Sequence, residues 1–194
     1  MRTYNEIYVT TYTGKRVHVF RPQIEEICLE DIAHHLAQQP RFVGACIKPF
    51  SVAQHSTILA SLFLKQGKIE LAKFALHHDD AEYVLCDVSS QVKYARGMKF
   101  YKKTEKALQK KIYEKFGMDY KKFDPDAEII KECGEPMEVK ILDSILVCNE
   151  ARDTLLHPPD WSKKGYVPNL KIIPVGYKKA ERDFLAMHKR LFAK

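Results

Sequence analysis

Histidine and carboxylate side chains on apolar helix faces cost free energy unless something binds them, so each one inside a hydrophobic run calls for a partner. Four such residues stand out in this chain of 194 residues. His55 lies in the run of Val52, Ile58, Leu59 and Leu62. His78 and Asp79 stand side by side where the apolar stretch Leu71, Phe74, Ala75, Leu76 gives way to His77-His78-Asp79-Asp80, with a further acid one helical turn on at Glu82. Asp143 is set among Val139, Leu142, Ile145 and Leu146. Two imidazoles and two carboxylates converging from packed helices make a mixed nitrogen and oxygen ligand set, with positions left over for water or substrate. That set suits Mn²⁺, Co²⁺, Fe²⁺ or Zn²⁺ and fits Mg²⁺ less well. Taken singly, each residue has a structural explanation: Asp143 can serve as an ion-pair partner, and His34, His35, His77, His157 and His188 are read as ordinary hydrogen-bonded histidines.

The elements that must position these residues are legible from periodicity. Residues 7 to 20 alternate apolar and polar around Thr13-Gly14-Lys15, which predicts a small β-hairpin at the N-terminus. From Leu29 the spacing becomes helical, with Leu29, Ile32, Ala33 and Leu36 on one stripe and Pro40 closing the helix. Ser51 is placed as N-cap of a second helix that carries His55 and stops at Gly67, and a third runs from about Ile69 into the His-His-Asp-Asp run. A lysine-rich helix over about 99 to 116, a helix over about 136 to 156 with Pro136 in its first turn, and a final amphipathic helix over 177 to 191 follow. Between them lie an acidic irregular stretch at 124 to 135 and a long loop at 158 to 174. The prediction is an all-α helical bundle with a small β-hairpin, one domain over 1–194 with its core at about 29–156.

At 45% hydrophobic content the chain has enough apolar surface for one core. No secretion signal and no apolar run of about 18 residues is visible, so a soluble cytoplasmic protein without membrane contact is expected. Five widely spaced cysteines without a C-x-x-C pair argue against a disulfide framework or a zinc ribbon. The formal charge of +7 is concentrated between Lys93 and Lys122 and again beyond Lys163, which fits a polyanionic partner or equally a set of solvated helix faces. No helix-turn-helix, zinc-finger or aromatic RNA-binding signature accompanies the charge, so a nucleic-acid-binding module is the weaker reading.

The separated His55, the His78-Asp79 doublet and the late Asp143 resemble the HD-domain phosphohydrolase superfamily. The match is nearest to its branch of bacterial 5′-deoxyribonucleotidases and phage-type triphosphohydrolases acting on dATP. The resemblance is carried by Leu29-Glu30-Asp31-Ile32-Ala33-His34, Arg41-Phe42 with Ser51-Val52-Ala53-Gln54-His55-Ser56, Ala75 through Lys93, and Leu142-Asp143 through Glu150-Ala151-Arg152. It implies that His55, His78, Asp79 and Asp143 bind a divalent metal, that Glu82 activates water, and that Asp87 borders the sugar and phosphate. It further implies that Arg41, Lys93 and Lys140 stand near substrate phosphates, that Phe42 lies beside the nucleotide, and that the protein forms a homo-oligomer, a dimer or a hexamer. Two departures matter for selectivity: Gly44 is followed by Ala45-Cys46 where relatives often have a histidine, and the Asp-x-Pro-x-Pro-x-Lys loop reads Asp87-Val88-Ser89-Ser90-Gln91-Val92-Lys93 without either proline.

The expectation is therefore a deoxynucleotide phosphohydrolase, foremost a triphosphohydrolase releasing deoxynucleoside and tripolyphosphate with dATP preferred. A 5′-deoxyribonucleotidase acting on monophosphates is the alternative. A cyclic-nucleotide or alarmone hydrolase would share the same metal centre.

Overall fold

The computed structural model describes residues 7–119 and 136–193. The acidic stretch at 124 to 135 lies outside the described residues, as does Cys133. The hairpin is shorter than the alternating pattern implies: β1 (Val9–Thr10) pairs antiparallel with β2 (Arg16–Val17), Val9 opposite Val17, around Gly14 at φ +84°. Thr11 Oγ1 and the Thr13 N–H each donate a 2.7 Å hydrogen bond to the carboxylate of Asp31. That satisfies a fully buried acid and fastens the hairpin to the helix that carries it.

The fold is helical. Its elements are α1 (Leu29–Gln38), α2 (Val52–Lys65), α3 (Ile69–His77), the short turns α4 (Glu82–Leu85) and α5 (Ser90–Lys93), α6 (Lys99–Lys115), α7 (Met137–Thr154) and α8 (Tyr177–Phe192). Ser51 caps α2, its hydroxyl accepting the Gln54 N–H, and Gly67 turns the chain into α3 at φ +73°. α2 and α3 pack along each other, α8 lies against α1, α2 and α3, and α7 reaches α2 and α3. Ile32, Leu36, Leu59, Leu76, Leu146 and Phe184 are sealed from solvent in one continuous core. Each such side chain contributes about 1.5 to 3 kcal/mol through burial. Among the described residues no helix is long and apolar enough to cross a membrane.

Three differences from the sequence expectation bear on the site. α3 ends at His77 instead of running through Asp80. The Gln109 amide from α6 donates to the His77 carbonyl at 2.6 Å and accepts the Ala81 N–H at 2.9 Å, replacing ladder bonds so that residues 78 to 81 can turn. The segment after Asp87 closes into the helical turn α5, with the Val92 and Lys93 N–H groups both donating to the Ser89 carbonyl. The loop at 158 to 174 contains a 3₁₀ turn at Asp160–Lys163, and Asn149 and Gln54 pin its far side through the backbones of Val167, Leu170, Ile173 and Val175. These bonds account for the burial of polar Asn149 on α7, whose buried residues also include Val139, Leu146, Glu150 and Thr154.

Candidate metal centre

His55 sits one turn inside α2 with no solvent exposure, and His78 and Asp79 occupy the turn that Gln109 holds open. Asp143 comes in from α7. His55 Nε2 lies 3.2 Å from His78 Nε2, 3.1 Å from Asp143 Oδ1 and 3.8 Å from Asp79 Oδ2, and His78 Nε2 lies 3.1 Å from Asp79 Oδ2 and 4.0 Å from Asp143 Oδ1. The structure thus brings together all four residues that the sequence singled out.

The hydrogen bonds on the outer side of the two imidazoles decide what those atoms are. His78 Nδ1 donates to the Ala75 carbonyl at 2.9 Å, and His55 Nδ1 is 2.5 Å from Glu150 Oε1. A carbonyl only accepts, so a neutral His78 carries its proton on Nδ1 and presents a lone pair at Nε2. Glu150 imposes the same tautomer on His55. Burial opposes ionisation of Glu150, but the adjacent His55 and Arg41 hold its carboxyl below the usual range, so it accepts. When both rings are neutral, two imidazole Nε2 atoms and two carboxylate oxygens face one another there. Ligand atoms around one ion at about 2.1 Å stand about 3.0 to 3.4 Å apart when adjacent in octahedral or tetrahedral geometry and about 4.2 Å apart when opposite. The observed separations fall in that range. His55, His78 and Asp79 form a cluster that can hold a metal ion, and Asp143 Oδ1 stands 3.1 Å from the Nε2 of the first of them.

Around the cluster lies a buried ionic frame. Glu150 Oε2 accepts from Arg41 Nη2 at 3.0 Å while Arg41 Nη1 stands 3.6 Å from Asp79 Oδ2. Arg41 is therefore tied to the carboxylates of the centre. It opens a 3₁₀ turn in which Phe42 and Val43 are both left-handed at φ +52°, a costly state for a β-branched valine. Phe42 packs partly buried against the core, its ring centroid 6.0 Å from the Arg41 guanidinium.

Glu82, almost fully buried, lines a cleft of about 460 Å³ together with His78 and Asp79. Its Oε1 accepts from Lys93 Nζ at 3.0 Å, and its Oε2 has no partner among the described residues. Burial and the charges of Asp79 and Asp87 push its carboxyl well above the ordinary value, Lys93 acting against them. Lys93 bridges to Glu105 at 2.8 Å as well, so both its bonds go to acids. Lys140 lines the same cleft with Lys102, Lys103 and Lys106 of α6. Asp87 is aimed by backbone strain: Cys86 adopts φ 67°, ψ 153°, a region nearly reserved for glycine, locked by its N–H to the Glu82 carbonyl at 2.8 Å and by Tyr101 Oη donating to its carbonyl at 2.9 Å. Gln39 then accepts the Asp87 N–H at 2.8 Å. Burial raises the Asp87 carboxyl, against the pull of Arg41 and Lys93.

Sequence reasoning missed Glu150, Gln39, Gln109 and Glu105 as parts of this centre. A signal for Glu150 existed, since it follows Asp143 by two helical turns on the same face of α7. The glutamines carried none, because a solvated and a clamping glutamine look alike in sequence. The histidines read as hydrogen-bonded do have partners where they are buried: His34 meets Glu181, His35 the Tyr83 carbonyl, and His77 both Asp80 and His188.

No family model matches the chain. It is similar to the uncharacterized protein YfdR of Escherichia coli K12, with 28% identity over 146 residues that cover 75% of this chain and 71% of that protein. It is also similar to an uncharacterized protein of Rhodobacter capsulatus, with 35% identity over 113 residues. That match covers 55% of this chain and 56% of the relative, little more than half of each.

Proposed function

We propose that this chain is an HD-type, metal-dependent phosphohydrolase of deoxynucleotides, acting on a deoxynucleoside triphosphate, with dATP first, and releasing deoxynucleoside and tripolyphosphate. The observation that carries the reading is the cluster of His55, His78 and Asp79, with Asp143 Oδ1 3.1 Å from His55 Nε2, beside a cleft that several lysines line. Unassisted phosphate-ester hydrolysis is so slow that an enzyme removes on the order of 20 kcal/mol from its barrier. His55, His78, Asp79 and Asp143 would hold a divalent ion, which would neutralise charge at the phosphoryl oxygens and acidify water beside them. The chain's own groups do the rest. Glu82, with its raised carboxyl and one unpartnered oxygen, takes the proton of the attacking water, and Lys93 steadies the carboxylate that receives it. Glu150 holds the His55 tautomer, and Arg41 balances the acids. Lys140 and the α6 lysines supply cations for a phosphate chain leaving along the cleft.

One observation favours a second reading. Lys93, a residue the resemblance puts near phosphate, is already bonded to Glu82 and Glu105, which leaves fewer cations near the centre and suits a 5′-deoxyribonucleotidase acting on monophosphates. A screen of the common dNTPs and dNMPs with Mn²⁺, Co²⁺, Zn²⁺ and Mg²⁺, reading phosphate and tripolyphosphate separately, decides between them. Tripolyphosphate from dATP supports the first reading. Faster turnover of dAMP than of every triphosphate, without tripolyphosphate, replaces it by the second, and no turnover of any nucleotide removes both.

A further inference from the structure

We propose that Tyr94, and not Phe42, is the aromatic platform on which the nucleobase stacks. This rests on the nucleotide reading above. The phenol is 73% exposed, yet it lines the same cleft as His78, Asp79 and Glu82. Exposed aromatic rings need no explanation singly, but this one stands where a substrate would lie, beside the candidate metal centre.

Its position is fixed from behind. Tyr94 follows Lys93 directly, and Lys93 is anchored by two charge-assisted bonds, to Glu82 Oε1 at 3.0 Å and Glu105 Oε1 at 2.8 Å. The Tyr94 N–H closes α5 by donating to the Ser90 carbonyl at 3.0 Å. The backbone under the ring is thereby tied to the residue proposed as proton acceptor. Lys102 Nζ stands 5.4 Å from the ring centroid, a cation–π separation. A largely exposed ring with a cation near it, on a backbone held beside the reacting centre, offers a planar heterocycle a preorganised surface.

Phe42 lacks these properties. It is partly buried against the core and does not line this cleft. Stacking accepts any base, so Tyr94 supplies affinity for nucleotides over other phosphate esters without choosing among the bases.

The test uses ligands that differ only by the base. Metal-loaded Glu82→Gln protein, which should bind without turnover, is titrated calorimetrically with dATP, dAMP and 2-deoxyribose 5-phosphate, alone and combined with Tyr94→Ala, Tyr94→Phe or Phe42→Ala. Replacing an exposed side chain leaves the core intact. Tyr94→Ala should weaken dATP and dAMP by about 5- to 150-fold, the usual worth of one stacked base, and leave 2-deoxyribose 5-phosphate unchanged. Tyr94→Phe should bind nucleotides almost as the parent does. Equal losses for base-bearing and base-free ligands, or a loss in Phe42→Ala with none in Tyr94→Ala, overturns the platform and leaves the phosphohydrolase reading intact. A Tyr94-intact protein that binds no nucleotide overturns both.

Discussion

Replacing Glu150 by glutamine removes one charge from the deepest part of the site while keeping its shape, and the geometry says what should follow. Glu150 is fully buried, with Oε1 2.5 Å from His55 Nδ1 and Oε2 3.0 Å from Arg41 Nη2. The glutamine carbonyl can still accept from one of these donors, but its amide cannot accept from the other. His55 then loses the partner that fixes its tautomer, or Arg41 loses half of its charge balance and draws harder on Asp79, already 3.6 Å away. Either outcome weakens a ligand. Carboxylates behind a metal-bound histidine are worth about 10- to 100-fold in metal affinity, or about 1.4 to 2.8 kcal/mol. Separately, leaving a buried guanidinium partly unpaired should cost the fold about 2 to 4 kcal/mol, the lower figure applying because Asp79 remains. Chelator competition with Mn²⁺ or Zn²⁺ measures the first quantity and urea unfolding the second. Glu138→Gln on the same helix is the control, since its carboxylate is mostly exposed and pairs with surface Lys68. A folded Glu150→Gln protein with the metal affinity of the parent would refute the argument that Glu150 orders His55.

Asp79→Ala should leave the helices in place and abolish both metal binding and hydrolysis; full metal occupancy by elemental analysis would remove Asp79 from the ligand set. Glu82→Ala should keep metal and nucleotide but lose at least about 100-fold in turnover, the low end of general-base contributions; near-normal turnover of the loaded variant would transfer the role, with Asp87 next in line. Low pH should destabilise the α3–α8 contact through His188, whose pKa is lowered to about 4 by burial and by the nearby His77. The unfolded chain takes up that proton as pH falls through about 6.5 and the folded chain only near 4, so stability is full above about 6.5 and lost progressively below it, by about 1 to 2 kcal/mol after allowing for solvent screening. Urea midpoints at pH 7 and 5 should differ in the parent and converge in His188→Gln, and an unchanged difference would assign the loss to other groups.

How much of this was written in the sequence depends on the range over which each feature is encoded. Helices α1, α2, α3, α6, α7 and α8 could be read from residues three and four apart, and the stops at Pro40, Gly67 and Gly117 from local backbone chemistry, because both are properties of a few consecutive residues. The same holds for His55, His78, Asp79 and Asp143, which were conspicuous as polar groups interrupting apolar stripes. Their convergence was not local. Residues 55 and 143 lie on α2 and α7 and residue 78 directly follows α3, and the packing of these three helices follows from side chains along all of them together. Only that packing puts Glu150 behind His55, lets Gln109 end α3 one turn early, and ties Lys93 to Glu105. It also leaves the Tyr94 ring standing open in the cleft while Phe42 turns toward the core. The sequence determined which residues must find partners, since burial makes an unpaired polar group costly wherever the helix goes. Which partners they found was decided by tertiary structure, because a hydrogen bond is specified by distances of about 3 Å between side chains that no pattern along the chain records.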